Sequence, residues 1–370
     1  MKVLVDAREA VKVATGVGVF VRYLARALDR SSDERIQFEI WPAHYDEGPE
    51  TPRHKPFGQR IFNLLRNLWD KQVIVPFRAL VTRADSILVL DPIIPLLAPC
   101  PVDVLIHDLQ SFDRSNPKQD SAWARYITLM TKLAKWRARY FFTNSDTTRA
   151  DVLRVLGVAP DHAHRTYPGV KPEFHPVTDA RVLDETRAMF GLNAPFILVV
   201  GTTDPKRNFP RILEAFVKLR KDPARRERLI CVGPKTAFFG EVADRIQSLG
   251  LGDEVRFTGF VPSENLAALY SLASVYLYPS LFEGFGFTTL EAMACGCPVI
   301  TSNCSSLPEV VGDAGVLVDP KDVDAIFAAL IEVLDQPEKR RDMIARGLAR
   351  AATFRWESTA ERIREVLSGT

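Results

Sequence analysis

The chain has 370 residues, which is more than one hydrophobic core usually organises, so its length predicts two domains. Hydrophobic residues make up 46% of the chain and charged residues 25%, a composition typical of soluble globular proteins. The formal net charge of +2 is lower than a nucleic-acid-binding protein usually carries, which argues against that class.

The five cysteines have no paired metal-ligand spacing and therefore predict reduced thiols. The chain opens on the strand-like run MKVLVDA rather than on a signal peptide. Its most apolar stretch, which begins at Ser86, is broken by Asp91, Asp103 and several prolines, so we expect no membrane-spanning helix. Together these features predict a cytoplasmic protein.

Short β-branched runs alternate with helical patterns in the first half of the chain. The predicted strands are KVLVDA, IQFEIW, SILVL, VDVLIHD and YFFTNS, and helices are predicted over about 18–29 and 121–136. This alternation predicts a parallel sheet that is covered by helices.

Residues 170–185 are polar and contain prolines, which predicts a linker. Beyond it, the strand-like runs FILVVGT, RLICVG, EVRFTGF, SVYLYPS and CPVITS again alternate with helices, and a last helix begins near Trp356. We therefore predict an α/β protein with two doubly wound, Rossmann-like domains, 1–175 and 176–355, that face a central cleft. A helix over 356–370 could cross back to the first domain. Ligands of such sheets bind at the carboxyl ends of the strands.

The stretch LFEGFGFTTLEAMACG, residues 281–296, joins a glycine-rich loop to a helix that we expect Thr288 and Thr289 to cap. A helix N-terminus binds phosphate, and Gly284 and Gly286 would let the backbone approach a ligand closely. Carboxylates accept hydrogen bonds from vicinal hydroxyls, so Glu283 could hold a sugar and Glu291, in the first helical turn, a ribose. The alternative is that Glu291 only complements the helix dipole and that Glu283 is a solvated loop residue.

Lys206 and Arg207 follow a predicted strand and precede a predicted helix. Two cations in that position could neutralise a diphosphate leaving group, although a solvated basic turn is the alternative. His107 ends another strand, where it could be catalytic or merely structural.

TGVGVF superficially resembles a dinucleotide-binding fingerprint, but its third glycine position is Val21 and it lies too far beyond the first strand. Gly18 could still contact a phosphate through its backbone, unless this is a simple loop. Asp322 and Asp324 open an apolar helical pattern, so we interpret them as a helix cap. We predict no metal site and no cofactor.

Residues 53–83 contain seven Lys or Arg, one acidic residue and interleaved apolar side chains. This pattern could rest on an anionic membrane surface, or it could be an ordinary packed helix with a solvated basic face.

The run FEGFGFTTLEAMACGCPVITSNCSSLPEVVGDAGVLVDP resembles the signature region of family-four retaining glycosyltransferases, which have the two-domain GT-B fold. FILVVGTTDPKRNFPRILEAF, DAREAVKVATGVGVF, IHDL and FFTNSDTTRADV resemble other landmarks of the family, so the resemblance covers nearly the whole chain. It implies that 1–175 is the acceptor-side domain and that 176–355 binds the nucleotide sugar.

The resemblance also implies residue roles. It places Glu283 on the transferred sugar, Glu291 on the ribose and His107 near that sugar. Family members read Arg-Lys-Asn where this chain has Lys206, Arg207 and Asn208, and we favour Arg207 as the main diphosphate contact. The expected catalytic residues are His107, Glu283, Arg207 and Lys206. The expected donor-binding residues are Gly18, Gly201, Lys206, Arg207, Gly259, Val261, Glu283, Gly284, Phe285, Gly286, Phe287, Thr289, Leu290 and Glu291.

We therefore expect a metal-independent, retaining hexosyltransferase that uses a nucleotide diphosphate sugar, first of all GDP-mannose. Its acceptor would be a glycan or lipid-linked glycan in polysaccharide or lipopolysaccharide synthesis, reached from the cytoplasm or from the inner face of the membrane. A UDP-sugar-dependent transferase, a sugar-nucleotide epimerase of the same fold and a non-catalytic glycan-binding subunit are the alternatives.

Overall fold

The computed structural model describes residues 1–12, 16–45, 65–112 and 122–369. The chain divides into two compact units. The first is Met1–Gly169 together with Arg355–Thr370, and the second is Val170–Phe354. We describe each unit by itself.

The first unit is built on a parallel sheet with the strand order β2-β1-β3-β4-β5-β6. Its strands are β1 Lys2–Asp6, β2 Gln37–Trp41, β3 Ser86–Val89, β4 Val102–Ile106, β5 Ala138–Thr143 and β6 Ala163–Arg165. The strands β3 and β4 are buried along their whole length, as expected for a parallel sheet that is covered on both faces. β2 lies on one side of β1, whereas β3 and the later strands lie on the other side, so β1 and β3 form the topological switch point of the sheet. Ligands are expected where these two strands end.

The helices of this unit alternate with its strands. Those with bounds in the described ranges include α1 Glu9–Lys12, α2 Gly16–Arg30, α3 Val75–Thr82, α4 Ala122–Arg137 and α5 Asp146–Asp151, and residues 65–69 are also helical. A π-helical turn, Asp70–Ile74, leads into α3, and a second one, Val152–Leu156, continues α5. The helix α2 buries Phe20, Leu24 and Leu28, which recur with the spacing of one helical face.

The second unit is built on a parallel sheet with the strand order β12-β11-β10-β7-β8-β9. Its strands are β7 Phe196–Val200, β8 Arg228–Val232, β9 Val255–Gly259, β10 Val275–Tyr278, β11 Val299–Ser302 and β12 Val316–Val318. β8 and β9 lie on one side of β7, whereas β10 to β12 lie on the other side, so β7 and β10 form the switch point of this sheet. The carboxyl ends of these two strands are therefore the expected ligand site.

The helices of the second unit are α6 Ala180–Phe190, α7 Phe209–Arg220, α8 Phe239–Ser248, α9 Ser263–Leu272, α10 Phe287–Ala294, α11 Leu307–Val311, α12 Val323–Asp335 and α13 Pro337–Ala351. The helix α6 lies partly within the predicted linker, so interpreting all of 170–185 as irregular was wrong. Asp179 caps α6 by accepting a hydrogen bond from the Arg181 amide. The predicted cap at Asp322 is confirmed, because its carboxylate accepts from the amides of Asp324 and Ala325 at the start of α12.

The last helix, α14, spans Trp356–Ser368 and belongs to the first unit. It packs on α2, where the Trp356 ring lies 5.3 Å from the Phe20 ring and 5.8 Å from the Tyr23 ring, centroid to centroid. Of the helices in the described ranges, none is both long enough and apolar enough to cross a bilayer. The predicted α/β class with two parallel, helix-covered sheets is confirmed.

Candidate active site

Several predicted site residues meet where β7 and β10 end in the second unit. Gly201 follows β7 with a φ of +153°, and a side chain there would place its Cβ 3.3 Å from Arg207 Nε. Glycine therefore leaves room for the arginine beside the strand end. The Gly233 amide donates to Gly259 O at 2.8 Å, so the ends of β8 and β9 continue the same sheet edge. Gly259 has a φ of +78°, and Val261, just beyond it, is buried.

The basic turn is a 3₁₀ turn, Pro205–Arg207, that is fastened to the loop after β10. Lys206 O accepts hydrogen bonds from the Leu281 amide at 2.8 Å and from Ser280 Oγ at 3.0 Å. The next residue, Asn208, is buried in the left-handed region with a φ of +62°, and its Nδ2 donates to Pro279 O at 2.9 Å. The turn and the loop thus form one structural element.

Glu283 lies at the centre of this element. Its Oε1 accepts a hydrogen bond from Arg207 Nη1, one from Tyr278 Oη at 2.8 Å and one from Ser280 Oγ at 2.7 Å. Glu283 is only 8% exposed, so the interpretation as a solvated loop residue was wrong. The Arg207 guanidinium lies 5.2 Å from the centre of the Tyr278 ring, which adds a cation–π contact to the ion pair.

Arg207 is itself largely buried, and burial lowers its pKa. Its Nε is buried and has no hydrogen-bond partner in the described part of the chain. A buried donor without a partner is costly, so an arginine in this environment is suited to bind an anion. Lys206 lies half-buried beside it.

The glycine-rich loop is held in place by the segment after β11. Ser306 Oγ donates to Glu283 O at 2.9 Å and to Phe285 O at 2.8 Å, and the Glu283 amide donates to Ser305 Oγ at 3.1 Å. Ser302 Oγ donates to Ser280 O at 2.6 Å. The sequence analysis missed these serines, although three of them occur in the conspicuous polar run SNCSS, residues 302–306.

The helix α10 begins at Phe287 and not at the predicted threonine cap. Gly286 occupies the N-cap position with a φ of +113°, and a Cβ there would lie 2.8 Å from Leu307 Cδ2. Thr288 lies in the first turn, where its Oγ1 accepts from Tyr276 Oη at 2.7 Å. Thr289 Oγ1 is buried without a hydrogen-bond partner among the residues that the structure describes. Gly284 and Phe287 are half-buried, and Phe285 and Leu290 are buried.

Glu291 lies one turn into α10 rather than in its first turn as expected, and it is only 6% exposed. Its Oε1 lies 2.8 Å from Lys171 Nζ. Burial raises the pKa of Glu291, while the positive charge of Lys171 opposes this shift. Lys171 was not identified from the sequence, because a contact between residues so far apart along the chain leaves no local pattern.

In the first unit, His107 follows β4 as predicted. Its Nε2 lies 3.1 Å from Leu90 O and must carry the proton, because a carbonyl oxygen only accepts. Burial lowers the pKa of His107, and the Phe20 ring packs edge-on against it at 4.8 Å. Phe20 belongs to α2, whose first turn contains the predicted phosphate contact, Gly18.

The ends of β1 and β3 hold a buried charge cluster that the sequence analysis did not identify. Lys71 Nζ forms ion pairs with Asp6, at 2.7 Å, and with Asp91. Arg8 binds both carboxylate oxygens of Asp6, each at 2.7 Å. Burial alone would raise the pKa of Asp6, but Lys71 and Arg8 together lower it. The cluster fixes the π-helical turn before α3 to the switch point of the first sheet.

No group of His, Cys, Asp or Glu side chains suited to a metal ion occurs within the described ranges.

Comparison with known proteins gives matches along most of the chain. Residues 14–174 match the family model described as Glycosyltransferase Family 4, and residues 185–350 match the one described as Glycosyl transferases group 1. The solved structure of sucrose-phosphate synthase from Thermosynechococcus elongatus is similar over 100% of both chains, with a TM-score of 0.76 and 21% sequence identity. At this identity the likeness concerns the fold.

Two curated relatives are mannosyltransferases of Escherichia coli. The chain is 36% identical to O-antigen chain mannosyltransferase B over 255 residues, which cover 68% of this chain and 66% of that protein. It is 31% identical to the serotype-specific mannosyltransferase WbdA over 237 residues, 62% of this chain and 29% of that protein. The matched region is thus just under two thirds of the first relative and under one third of the second. The family models and these relatives agree with the geometry of the loop and basic turn: the chain belongs to the family-four glycosyltransferases.

Proposed function

We propose that this glycosyltransferase transfers mannose from GDP-mannose, with retention of anomeric configuration and without a metal ion, to a hydroxyl of a glycan or lipid-linked glycan. The setting would be polysaccharide or lipopolysaccharide assembly. One observation carries the proposal: a largely buried arginine whose Nε has no partner in the described residues, two buried glutamates and the start of α10 lie around the switch point of the second sheet. A sugar nucleotide needs these parts, namely a diphosphate clamp, a sugar contact and a ribose contact.

In the proposed reaction, the bond between the anomeric carbon and a diphosphate oxygen breaks, and its electron pair leaves with the diphosphate. The acceptor hydroxyl oxygen bonds to the anomeric carbon from the same face, and its proton passes to a diphosphate oxygen on that face. Negative charge grows on the leaving group, so Arg207 and Lys206 would contribute most by stabilising it. The neutral His107 would act near the transferred sugar as a hydrogen-bonding group.

The choice of mannose is supported by the two relatives that carry mannosyltransferase names. The base would be recognised near Gly259 and Val261, at the far end of the same sheet edge. A UDP-sugar is the main alternative donor, because a strand end and a glycine do not determine which nucleotide base is bound.

Two other functions remain as alternatives. A sugar-nucleotide epimerase of the same fold would need no acceptor. A non-catalytic glycan-binding subunit would not need the cations, and the buried Arg207–Glu283 pair therefore favours an enzyme.

The test is a thermal-shift panel with GDP, GDP-mannose, UDP and UDP-glucose. A ligand at 100 times its dissociation constant stabilises the folded state by about 2.7 kcal/mol. We expect the largest shift with GDP-mannose. A larger shift with UDP-glucose would indicate that the donor is a UDP-sugar. No shift with any of the four ligands would contradict the proposed donor class.

We also propose an anionic lipid surface as a partner of the first unit. Residues 65–82 are helical, and their side chains Leu65, Trp69, Val73, Phe77 and Val81 are between 39% and 65% exposed. These residues recur every four positions, so they form one apolar stripe. The part of the predicted basic segment over 53–64 lies outside the described residues.

Charge and neighbouring structure support a bilayer as the occupant. Arg66, which follows Leu65, and Arg83, which follows the end of α3, are exposed and carry the charge that attracts anionic headgroups. Gln72 Nε2 donates to Ile94 O at 2.8 Å, which fastens the loop that contains the exposed Leu97 to the π-helical turn. An apolar stripe with a basic margin is typical of helices that lie in a membrane interface.

A further inference from the structure

Arg207 and Glu283 are expected to bind different parts of the donor, yet here they bind each other. The side chains of Arg207 and Glu283 are 17% and 11% exposed, so their ion pair is only weakly screened by water. A diphosphate that takes the Arg207 guanidinium must therefore draw it away from a largely buried carboxylate.

We propose that Glu283 competes with the diphosphate for Arg207 and thereby makes the site select the sugar nucleotide over the free nucleoside diphosphate. The inference rests on the proposed function, because it assumes that this site takes a nucleotide diphosphate sugar. It adds a specificity role for Glu283 that a simple sugar contact would not have.

The chemistry of the two ligands explains the selection. A sugar nucleotide brings hydroxyl donors with its hexose, which can replace the arginine at Glu283 when the diphosphate takes Arg207. A nucleoside diphosphate brings no such hydroxyls to this position. It would leave Glu283 with the neutral donors Tyr278 and Ser280, and a buried carboxylate that loses its cation is costly.

The same competition favours product release. Once the hexose has moved to the acceptor, Glu283 loses its sugar hydroxyls and attracts Arg207 again. The diphosphate then loses a cation at the step at which the nucleotide must leave. Because the loop is fixed by Ser306 and Ser305, Glu283 stays within reach of Arg207 throughout.

The test measures the affinities of GDP and GDP-mannose by calorimetry for the wild type and for Glu283→Gln. If the wild type takes the uridine nucleotides instead, UDP and UDP-glucose are used. Glutamine keeps the shape of the side chain but removes the charge that holds Arg207. We expect the nucleoside diphosphate to bind Glu283→Gln about tenfold more tightly than the wild type, and the sugar nucleotide to gain nothing or to bind more weakly.

A matched control is Glu185→Gln, which breaks a Glu–Arg pair in the same unit. Glu185 Oε1 lies 2.8 Å from Arg181 Nε on the exposed face of α6, so its loss should leave both affinities unchanged. A second control places Glu283→Gln in an Arg207→Gln background, where the gain in nucleoside diphosphate affinity should disappear. If thermal unfolding shows that Glu283→Gln is misfolded, Glu283→Asp, whose shorter side chain withdraws from Arg207, should shift the affinity in the same direction.

The outcomes separate this inference from the proposed function. A wild type that binds the nucleotides, with a variant that binds the nucleoside diphosphate equally well or more weakly, overturns the competition and leaves the proposed function standing. A wild type that binds none of the four nucleotides overturns the proposed function, and the competition with it.

Discussion

Lys171 Nζ lies 2.8 Å from Glu291 Oε1, and the carboxylate is almost fully buried. Each glutamate of the loop and helix segment is thus paired with a cation, Glu283 with Arg207 and Glu291 with Lys171. The basic residues that neutralise the site come from parts of the chain that are distant in sequence, and the fold of the second unit brings them together.

Replacing Lys171 with Met should lower the free energy of unfolding at pH 7 by about 3–5 kcal/mol, because it leaves the Glu291 carboxylate buried without its cation. Burial already raises the pKa of Glu291 above its ordinary value of 4.5, and loss of Lys171 should raise it further. A carboxyl group with a raised pKa binds its proton more tightly in the folded state, so stability falls as pH rises through that pKa.

The Lys171→Met variant should therefore be nearly as stable as the wild type at about pH 4, where Glu291 is largely protonated, and should lose stability towards pH 7. Denaturant unfolding at several pH values measures this difference. Adding Glu291→Gln should remove the pH dependence. A loss of equal size at both pH values would contradict the role assigned to the ion pair.

Arg207 should matter more for turnover than for binding of the ground state, because charge grows on the diphosphate as the glycosidic bond breaks. We expect Arg207→Ala to lower turnover by about 100- to 1,000-fold, and Lys206→Ala to have the smaller effect. Both single variants and the double variant should be assayed with saturating donor. Near-normal turnover of the double variant would remove the basic turn from the diphosphate site.

Transfer should survive treatment with EDTA. The proposed clamp neutralises the diphosphate with arginine and lysine side chains, which needs no divalent ion, and Asp322 is engaged as a helix cap. The measurement compares initial rates in EDTA with rates after manganese or magnesium is added back. A rate that is lost in EDTA and restored by either metal would contradict a metal-independent mechanism.

The first unit should bind vesicles that contain phosphatidylglycerol more strongly than vesicles of phosphatidylcholine, and salt should weaken the binding. The double variant Trp69→Ser, Phe77→Ser should cosediment less, because it removes exposed apolar side chains from the stripe. Met189→Ser, which removes an exposed apolar side chain from the second unit, is the matched control. Equal binding to both vesicle types would favour a packed helix with a solvated basic face.

Most of the fold could be predicted from the sequence, because apolar β-branched runs define the central strands of a parallel sheet. The edge strands β6 and β12 were missed. Each has only three residues, Ala163–Arg165 and Val316–Val318, and their polar or half-exposed positions give no clear period. The helix α6 was missed because the prolines before it favoured the interpretation of 170–185 as a linker.

The candidate site was predicted in part. The loop could be recognised from the sequence, because its glycines and glutamates all lie within residues 281–296. The burial of Glu291 was not foreseen, because the helix starts at Phe287 after a left-handed glycine rather than at a threonine cap. The ion pairs of Lys171 and Lys71 could not be foreseen, since they join residues from separate elements and depend on tertiary packing.

The most direct test of the account is the affinity of the donor for Glu291→Gln, measured by calorimetry beside the wild type. Glu291 is assigned to the ribose, which GDP and GDP-mannose share, so both ligands should bind the variant about 10- to 100-fold more weakly while its thermal unfolding stays cooperative. The same comparison is made with UDP and UDP-glucose if these are the nucleotides that bind. Unchanged affinity for both ligands in a folded variant would contradict the assignment of this loop and helix as the nucleotide-sugar site.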